Sequence, residues 1–137
     1  TTVTRFLEIG TESYLLSSTL LGVLAQRLVR ANCTECLVPE NPSPGIRKMM
    51  SVGPDEVFYK GAGCEYCKQR GTKGRRAVYE LLVMTGGMRN LLRPGVQADT
   101  LQQQAIREGM TPLTEHALHL ARERIISLEE AYAVRLE

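Results

Sequence analysis

The 137 residues suffice for one ordinary domain or two very small ones. Hydrophobic residues make up 43% and charged residues 23%, a soluble globular balance that excludes a disordered tail, a collagen-like fibre and a coiled coil. Seventeen Lys and Arg against fifteen Asp and Glu leave a formal charge of +2, and there is no Trp, so neither a strongly basic face nor an aromatic base-stacking platform is expected.

The longest apolar stretch, Leu20 to Ala25, is broken by Gly22 and is too short to span a bilayer. The opening residues Thr1-Thr2-Val3-Thr4-Arg5 lack the basic-then-apolar order of an export signal. The sequence starts on Thr rather than Met and reads as a piece of a longer protein.

In chain order, Thr2 to Asn32 has a helical pattern. Leu16, Leu20, Leu24 and Leu28 recur every four residues, with Leu21 alongside and Thr11 as a candidate N-cap. Pro39, Pro42, Pro44 and Pro54 with Gly45 and Gly53 predict a loop-rich connection, with one helical turn near Arg47 to Ser51. Val57 to Lys60 reads as a short strand. Ala77 to Met84 is rich enough in β-formers to pair with it as a hairpin. A short helix is expected over Met88 to Leu92 and a second over Ala98 to Glu108, capped by Gly109. Thr111-Pro112 opens a third helix, whose buried stripe is Leu113, Ala117, Leu120 and Ala121. Ser127-Leu128-Glu129-Glu130 fits a capping box opening a last helix that carries Leu128, Ala131, Tyr132 and Leu136. These C-terminal helices, 97–137, are expected to pack independently of the middle of the chain.

Chemistry concentrates in four cysteines. Cys33-Thr34-Glu35-Cys36 and Cys64-Glu65-Tyr66-Cys67 are two CxxC pairs separated by the 27 residues from 37 to 63. Each pair can bring two sulfurs to one ion from a tight turn, and together they supply the four thiolates of a closed tetrahedral zinc site. Four cysteine ligands leave no open position for water, so the metal would be structural. Paired disulfides would need an export signal, and a redox CxxC needs only one pair. Spacing alone does not separate zinc from an iron centre held by the same thiolates. Lys60, Lys68, Arg70, Lys73, Arg75 and Arg76 against Glu65 give the second knuckle a local charge of +5. A zinc ion with four thiolates carries −2, so charge compensation explains much of this cluster. The competing explanation is a zinc-ribbon-like nucleic-acid-binding module. His116 and His119 lie one turn apart on the third helix, but no third ligand accompanies them, and exposed histidines are the expectation. There is no GxxxxGK[ST] loop and no nucleophile arrangement, so the chain has no self-contained active site.

Five segments together resemble the C-terminal end of a type II secretion traffic ATPase, in the superfamily of secretion and type IV pilus motors. They are Val3-Thr4-Arg5-Phe6-Leu7-Glu8-Ile9-Gly10; the run 15–30, LLSSTLLGVLAQRLVR; the tetracysteine module from Cys33 to Cys67; Gly71-Thr72-Lys73-Gly74-Arg75 with Tyr79-Glu80-Leu81-Leu82; and Glu108-Gly109-Met110 with Ile125-Ile126-Ser127-Leu128-Glu129-Glu130. Ala77 stands where the family usually has glycine, and residues 37–56 match only loosely. The family's Walker A loop, Walker B segment, acidic box and histidine box have no counterpart in these residues.

The resemblance implies a mostly helical α+β fold in three parts. Residues 1–32 would be the terminal part of a RecA-like ATPase core, 33–76 a zinc module containing a short β-hairpin, and 77–137 a helical C-terminal subdomain. It implies one structural Zn²⁺ per chain on Cys33, Cys36, Cys64 and Cys67. ATP and Mg²⁺ would belong to the full-length protein only, a homo-hexamer that drives pseudopilus assembly, and this stretch alone would be inactive. Arg5 and Arg75 match family arginines important for ATPase activity and are candidates for contact with nucleotide or with a neighbouring subunit. Implied partners are inner-membrane secretion platform proteins, not nucleic acid. The implied location is cytoplasmic, peripheral to the bacterial inner membrane and without a membrane span. A type IV pilus or DNA-uptake ATPase is the nearest alternative.

Overall fold

A computed structural model describes residues 19–136. Its order is strand β1 (Gly22–Asn32), strand β2 (Leu37–Glu40), helix α1 (Pro44–Met49), strand β3 (Phe58–Gly61), strand β4 (Thr72–Val83), and helices α2 (Gly86–Leu91), α3 (Ala98–Arg107), α4 (Leu113–Arg122) and α5 (Leu128–Leu136). The fold is α+β, with five helices and two small two-stranded sheets among the described residues, although its longest elements are strands β1 and β4.

The largest correction falls on residues 22–32, expected as helix and found as strand. A repeat of four residues is also a multiple of two, so Leu20, Leu24 and Leu28 keep to one side of a strand as readily as of a helix. Leu24 and Leu28 are both exposed there, while Val29 is buried. The first part of that expected helix and its Thr11 cap lie outside the described residues.

The second correction concerns pairing. β3 forms as expected, but its partner is β2, antiparallel, with Leu37 opposite Gly61, Val38 opposite Lys60, Pro39 opposite Tyr59 and Glu40 opposite Phe58. β4 pairs with β1 instead. Pro39 lacks an N–H to donate, and a two-stranded sheet tolerates it because each strand is an edge.

The chain divides into two compact units, the division falling within β1 and β4. One gathers residues up to Ala25 with Glu80–Pro112; the other joins Gln26–Tyr79 to Leu113–Glu137. In the first, Leu82, Met84, Met88, Leu92, Leu101 and Ala105 form the core, with Leu20, Val23, Val96 and Met110 against it. Helix α2 starts because the Thr85 hydroxyl accepts the Met88 N–H at 3.2 Å. The expected stop after α3 is met by Gly109 at φ +103, a left-handed value that a side chain would disfavour.

In the second unit, Val29, Phe58 and Val78 from three strands pack with Ala117, Leu118, Leu120, Ala121, Ile126, Leu128, Ala131 and Val134. All four expected stripe residues of α4 lie in or against this core. In α5 Leu128 and Ala131 are buried, but Val134 takes the place expected for Leu136, which is 68% exposed. The capping box is half present. The Glu130 N–H donates to the Ser127 hydroxyl at 3.0 Å, while the Glu130 carboxylate accepts instead from the Arg30 N–H on β1 at 3.1 Å. Among the described residues no helix is long and apolar enough to cross a membrane.

Candidate metal centre

The strand pairing is nested: the β2–β3 ribbon lies inside the chain segment closed by β1 and β4. The first knuckle is the connection from β1 to β2, the second from β3 to β4. All four strand ends therefore arrive at the cysteines. The Cys33 N–H donates to Gly71 O at 3.0 Å, and the Ala62 N–H to Cys36 O at 2.9 Å, tying each knuckle to the backbone beside the other.

Two glycines make this approach possible. A Cβ on Gly61 would fall on the Gly71 carbonyl, and one on Gly71, at φ +76, would sit 2.5 Å from Gly61 O. The second knuckle turns back through Lys68 and Gln69, at φ +56 and +64, strained values for side chains of this kind. Asn32, just before the first knuckle, is buried. Its side-chain amide donates to Tyr59 O at 3.0 Å and Arg124 O at 3.2 Å.

All four sulfurs lie within 4.8 Å of one another and could hold a metal ion. Three of the separations are 3.7 Å for Cys33–Cys64, 3.9 Å for Cys36–Cys67 and 3.6 Å for Cys64–Cys67. Ligands at about 2.3 Å from a tetrahedral ion would be about 3.8 Å apart, so the donor set fits. Cys33 and Cys67 are buried, and none of the four is in a disulfide.

Backbone N–H groups complete the sulfur environment. Gly63 donates to Cys36 Sγ at 3.3 Å; Cys64 and Gly71 donate to Cys67 Sγ at 3.3 and 3.2 Å. Burial raises both of these thiols. At Cys67 the two N–H donors and the Cys64 and Cys36 thiols outweigh it, bringing the group from 9.0 down to about 6. At Cys36 burial, opposed by the Gly63 N–H but joined by three neighbouring thiols, pushes the group up to about 12. Of these two thiols, Cys67 therefore gives up its proton far more readily than Cys36.

Beside Cys67 opens a groove of 670 Å³ on the same unit, bordered by Arg30, Lys68, Arg70, Lys73 and Arg75. Arg75 is thereby placed on β4, exposed, beside the cysteine cluster.

A profile of the family described as "Type II/IV secretion system protein" matches residues 1–133. The chain belongs to that family. It is 39% identical to the "Type IV pilus assembly ATPase PilB" of Thermus thermophilus and 34% identical to the "Type II secretion system ATPase E" of Vibrio cholerae, with 98% of the chain covered in each. It is 37% identical over 94% of its length to the PilB of Myxococcus xanthus. It spans only 16%, 27% and 24% of those three relatives' own lengths.

In this secretion-family chain the other sequence candidates are distributed as follows. Arg5 lies outside the described residues. His119 is exposed as expected, but His116 is half-buried. The Tyr79 N–H donates to His116 Nδ1 at 3.0 Å, and the two rings meet edge to face at 4.7 Å, so this histidine fastens α4 to β4 rather than binding metal.

Two structurally central polar residues were missed by sequence reasoning. Asn32 carried one usable signal, its place immediately before Cys33. Glu40 carried none, since a carboxylate between prolines reads as solvated loop.

Proposed function

We propose that this chain is the C-terminal, zinc-containing part of an ATPase that drives pseudopilus assembly in type II protein secretion. The observation that carries the proposal is the family match over residues 1–133 combined with a four-cysteine cluster of tetrahedral dimensions. The PilB relatives at 39% and 37% favour a second reading, a type IV pilus assembly ATPase. In either case residues 1–32 would be the terminal part of a RecA-like core, 33–76 the metal module and 77–137 the remaining subdomain.

Zinc would be held by Cys33, Cys36, Cys64 and Cys67. When bound it supplies cross-linking of four strand ends rather than chemistry. The residues do the rest: Gly61 and Gly71 let the knuckles approach, and N–H groups of Gly63, Cys64 and Gly71 support the thiolates. ATP and Mg²⁺ would be bound by the full-length protein, a homo-hexamer on the cytoplasmic side of the inner membrane that acts on platform proteins there. Arg5 and Arg75 are the candidates for nucleotide or inter-subunit contact, since a guanidinium is always charged and matches phosphate or carboxylate with a planar fork.

A phosphate-release assay on this chain tests the division of labour. With no GxxxxGK[ST] loop in its 137 residues, no turnover above buffer is expected. Magnesium-dependent hydrolysis would overturn it. Joining the chain to its upstream gene sequence decides the class: a Walker A loop there supports an ATPase, and its absence sinks the reading.

A further inference from the structure

We propose that the groove beside the second knuckle is a docking site for an acidic polypeptide segment of a partner protein. Arg30, Lys68, Arg70, Lys73 and Arg75 border it, and no carboxylate does. Among the described residues the side chains of Arg30, Lys68, Arg70 and Arg75 make no hydrogen bond or ion pair. Only Lys73 is engaged, its ammonium 3.5 Å from Tyr66 O and 4.5 Å above the Tyr66 ring. A filled metal centre carries −2 and offsets two of the five cations. Three remain uncompensated, all exposed and on one side of one unit.

The shape selects among anions. At 670 Å³ the groove would take on the order of twenty waters, far more than one phosphate or carboxylate needs. Among the described residues no helix borders it, so no helix N-terminus offers it the N–H groups with which a backbone cradles a lone phosphate. It is walled by cations instead of apolar side chains, unlike a small-molecule pocket. Its one aromatic, Tyr66, has a face already covered by Lys73, so it is no stacking platform for nucleobases. What fits is an extended chain bearing several carboxylates, met by the planar guanidinium forks of Arg30, Arg70 and Arg75 and the ammonium groups of Lys68 and Lys73. This goes beyond the family reading and does not depend on it.

The test is fluorescence anisotropy at low salt with the metal-loaded chain and a fluorescein-labelled poly-glutamate peptide. Binding is expected, weakening as salt rises. The double variant Arg30→Glu/Arg70→Glu should weaken it about tenfold or more. Arg107→Glu, on helix α3, should not. Metal content and circular dichroism are measured for each variant. If the double variant loses metal, Lys73→Glu decides, because its ammonium rests on Tyr66 and touches no cysteine. Binding that survives the charge reversals overturns the proposal. So does tighter, Lys73-dependent binding of a single-stranded oligonucleotide or of anionic phospholipid vesicles. Full displacement of the peptide by equimolar inorganic phosphate would also overturn it, since it would show a lone-anion site.

Discussion

The carboxylate of Glu40 on strand β2 accepts the N–H of Leu128 at 2.8 Å and that of Glu129 at 3.1 Å, capping a helix 88 residues further along the chain. The first N–H groups of a helix have no partner within it, and a negative charge there also meets the positive end of the helix dipole. Both are served by a residue from another element, while Ser127 serves the next N–H. Glu40→Ala is expected to lower stability by about 2 kcal/mol and Glu40→Gln by less, since the amide oxygen can still accept one bond. Urea denaturation with metal at fixed concentration measures both. Equal stability of wild type and Glu40→Ala would show that the cap is idle.

Removing a metal ligand should reach further than the sequence suggests. Helices α4 and α5 were expected to pack independently of residues 33–76, yet their buried faces share one core with Val29, Phe58 and Val78. Cys36→Ser, or chelation of the wild type, is expected to leave this unit folded but weaker, speeding exchange of the amides of α4 and α5 together with those of β2 and β3. Helix α3, whose core is Leu82, Met88 and Leu101, should stay protected. Hydrogen exchange read by mass spectrometry separates the two patterns; protected α4 and α5 in a metal-free variant would contradict the shared core.

The metal-free protein should depend on pH in a defined direction. Cys67 is lowered from 9.0 to about 6, so its thiolate adds stability that is fully present above 9 and lost as pH falls through 6. Cys36 is raised from 9.0 to about 12, so its contribution is present below 9 and lost as pH rises through 12. Stability of chelated protein should therefore climb between pH 6 and 9. The slope should flatten in Cys67→Ser. Thermal melts of the two proteins across that range provide the comparison, and parallel curves would refute the assignment.

Backbone proximity gives a steric prediction. Gly61→Ala would drive a Cβ into the Gly71 carbonyl, and neither backbone can yield without moving a knuckle. A loss of about 3 kcal/mol or more and weakened metal retention are expected. Gly53→Ala, where the space is open and φ is not left-handed, should change stability by only about 0.5 kcal/mol. Metal content after dialysis and a denaturation midpoint decide; comparable effects at the two positions would discount the crossing.

What was legible in the sequence was what local chemistry determines. Helices α3 and α4 carry their own signals in Gly109 and the Ala117–Ala121 stripe, and the four cysteines announce themselves by spacing. Strand pairing was not legible, because β1 finds its partner beyond both knuckles and the Leu20–Leu24–Leu28 repeat is silent between periods of two and 3.6. Pro39 concealed β2 by reading as loop. The contacts made by Glu40, Asn32 and His116 were not legible, because each serves an element distant in sequence.

The nested strands also bear on how the molecule assembles. The inner β2–β3 ribbon closes a short stretch of chain, whereas β1 must wait for β4, synthesised after both knuckles. Closing a longer loop costs more entropy, so the inner ribbon can form first and bring the knuckles together. Metal capture at that stage would hold β1 and β4 at their meeting point before they pair. Delivery of the ion would then set the pace of folding as well as the strength of the finished structure, and a cell short of that metal would accumulate chains with β1 unpaired and Val29, buried in the finished fold, free to stick to other molecules.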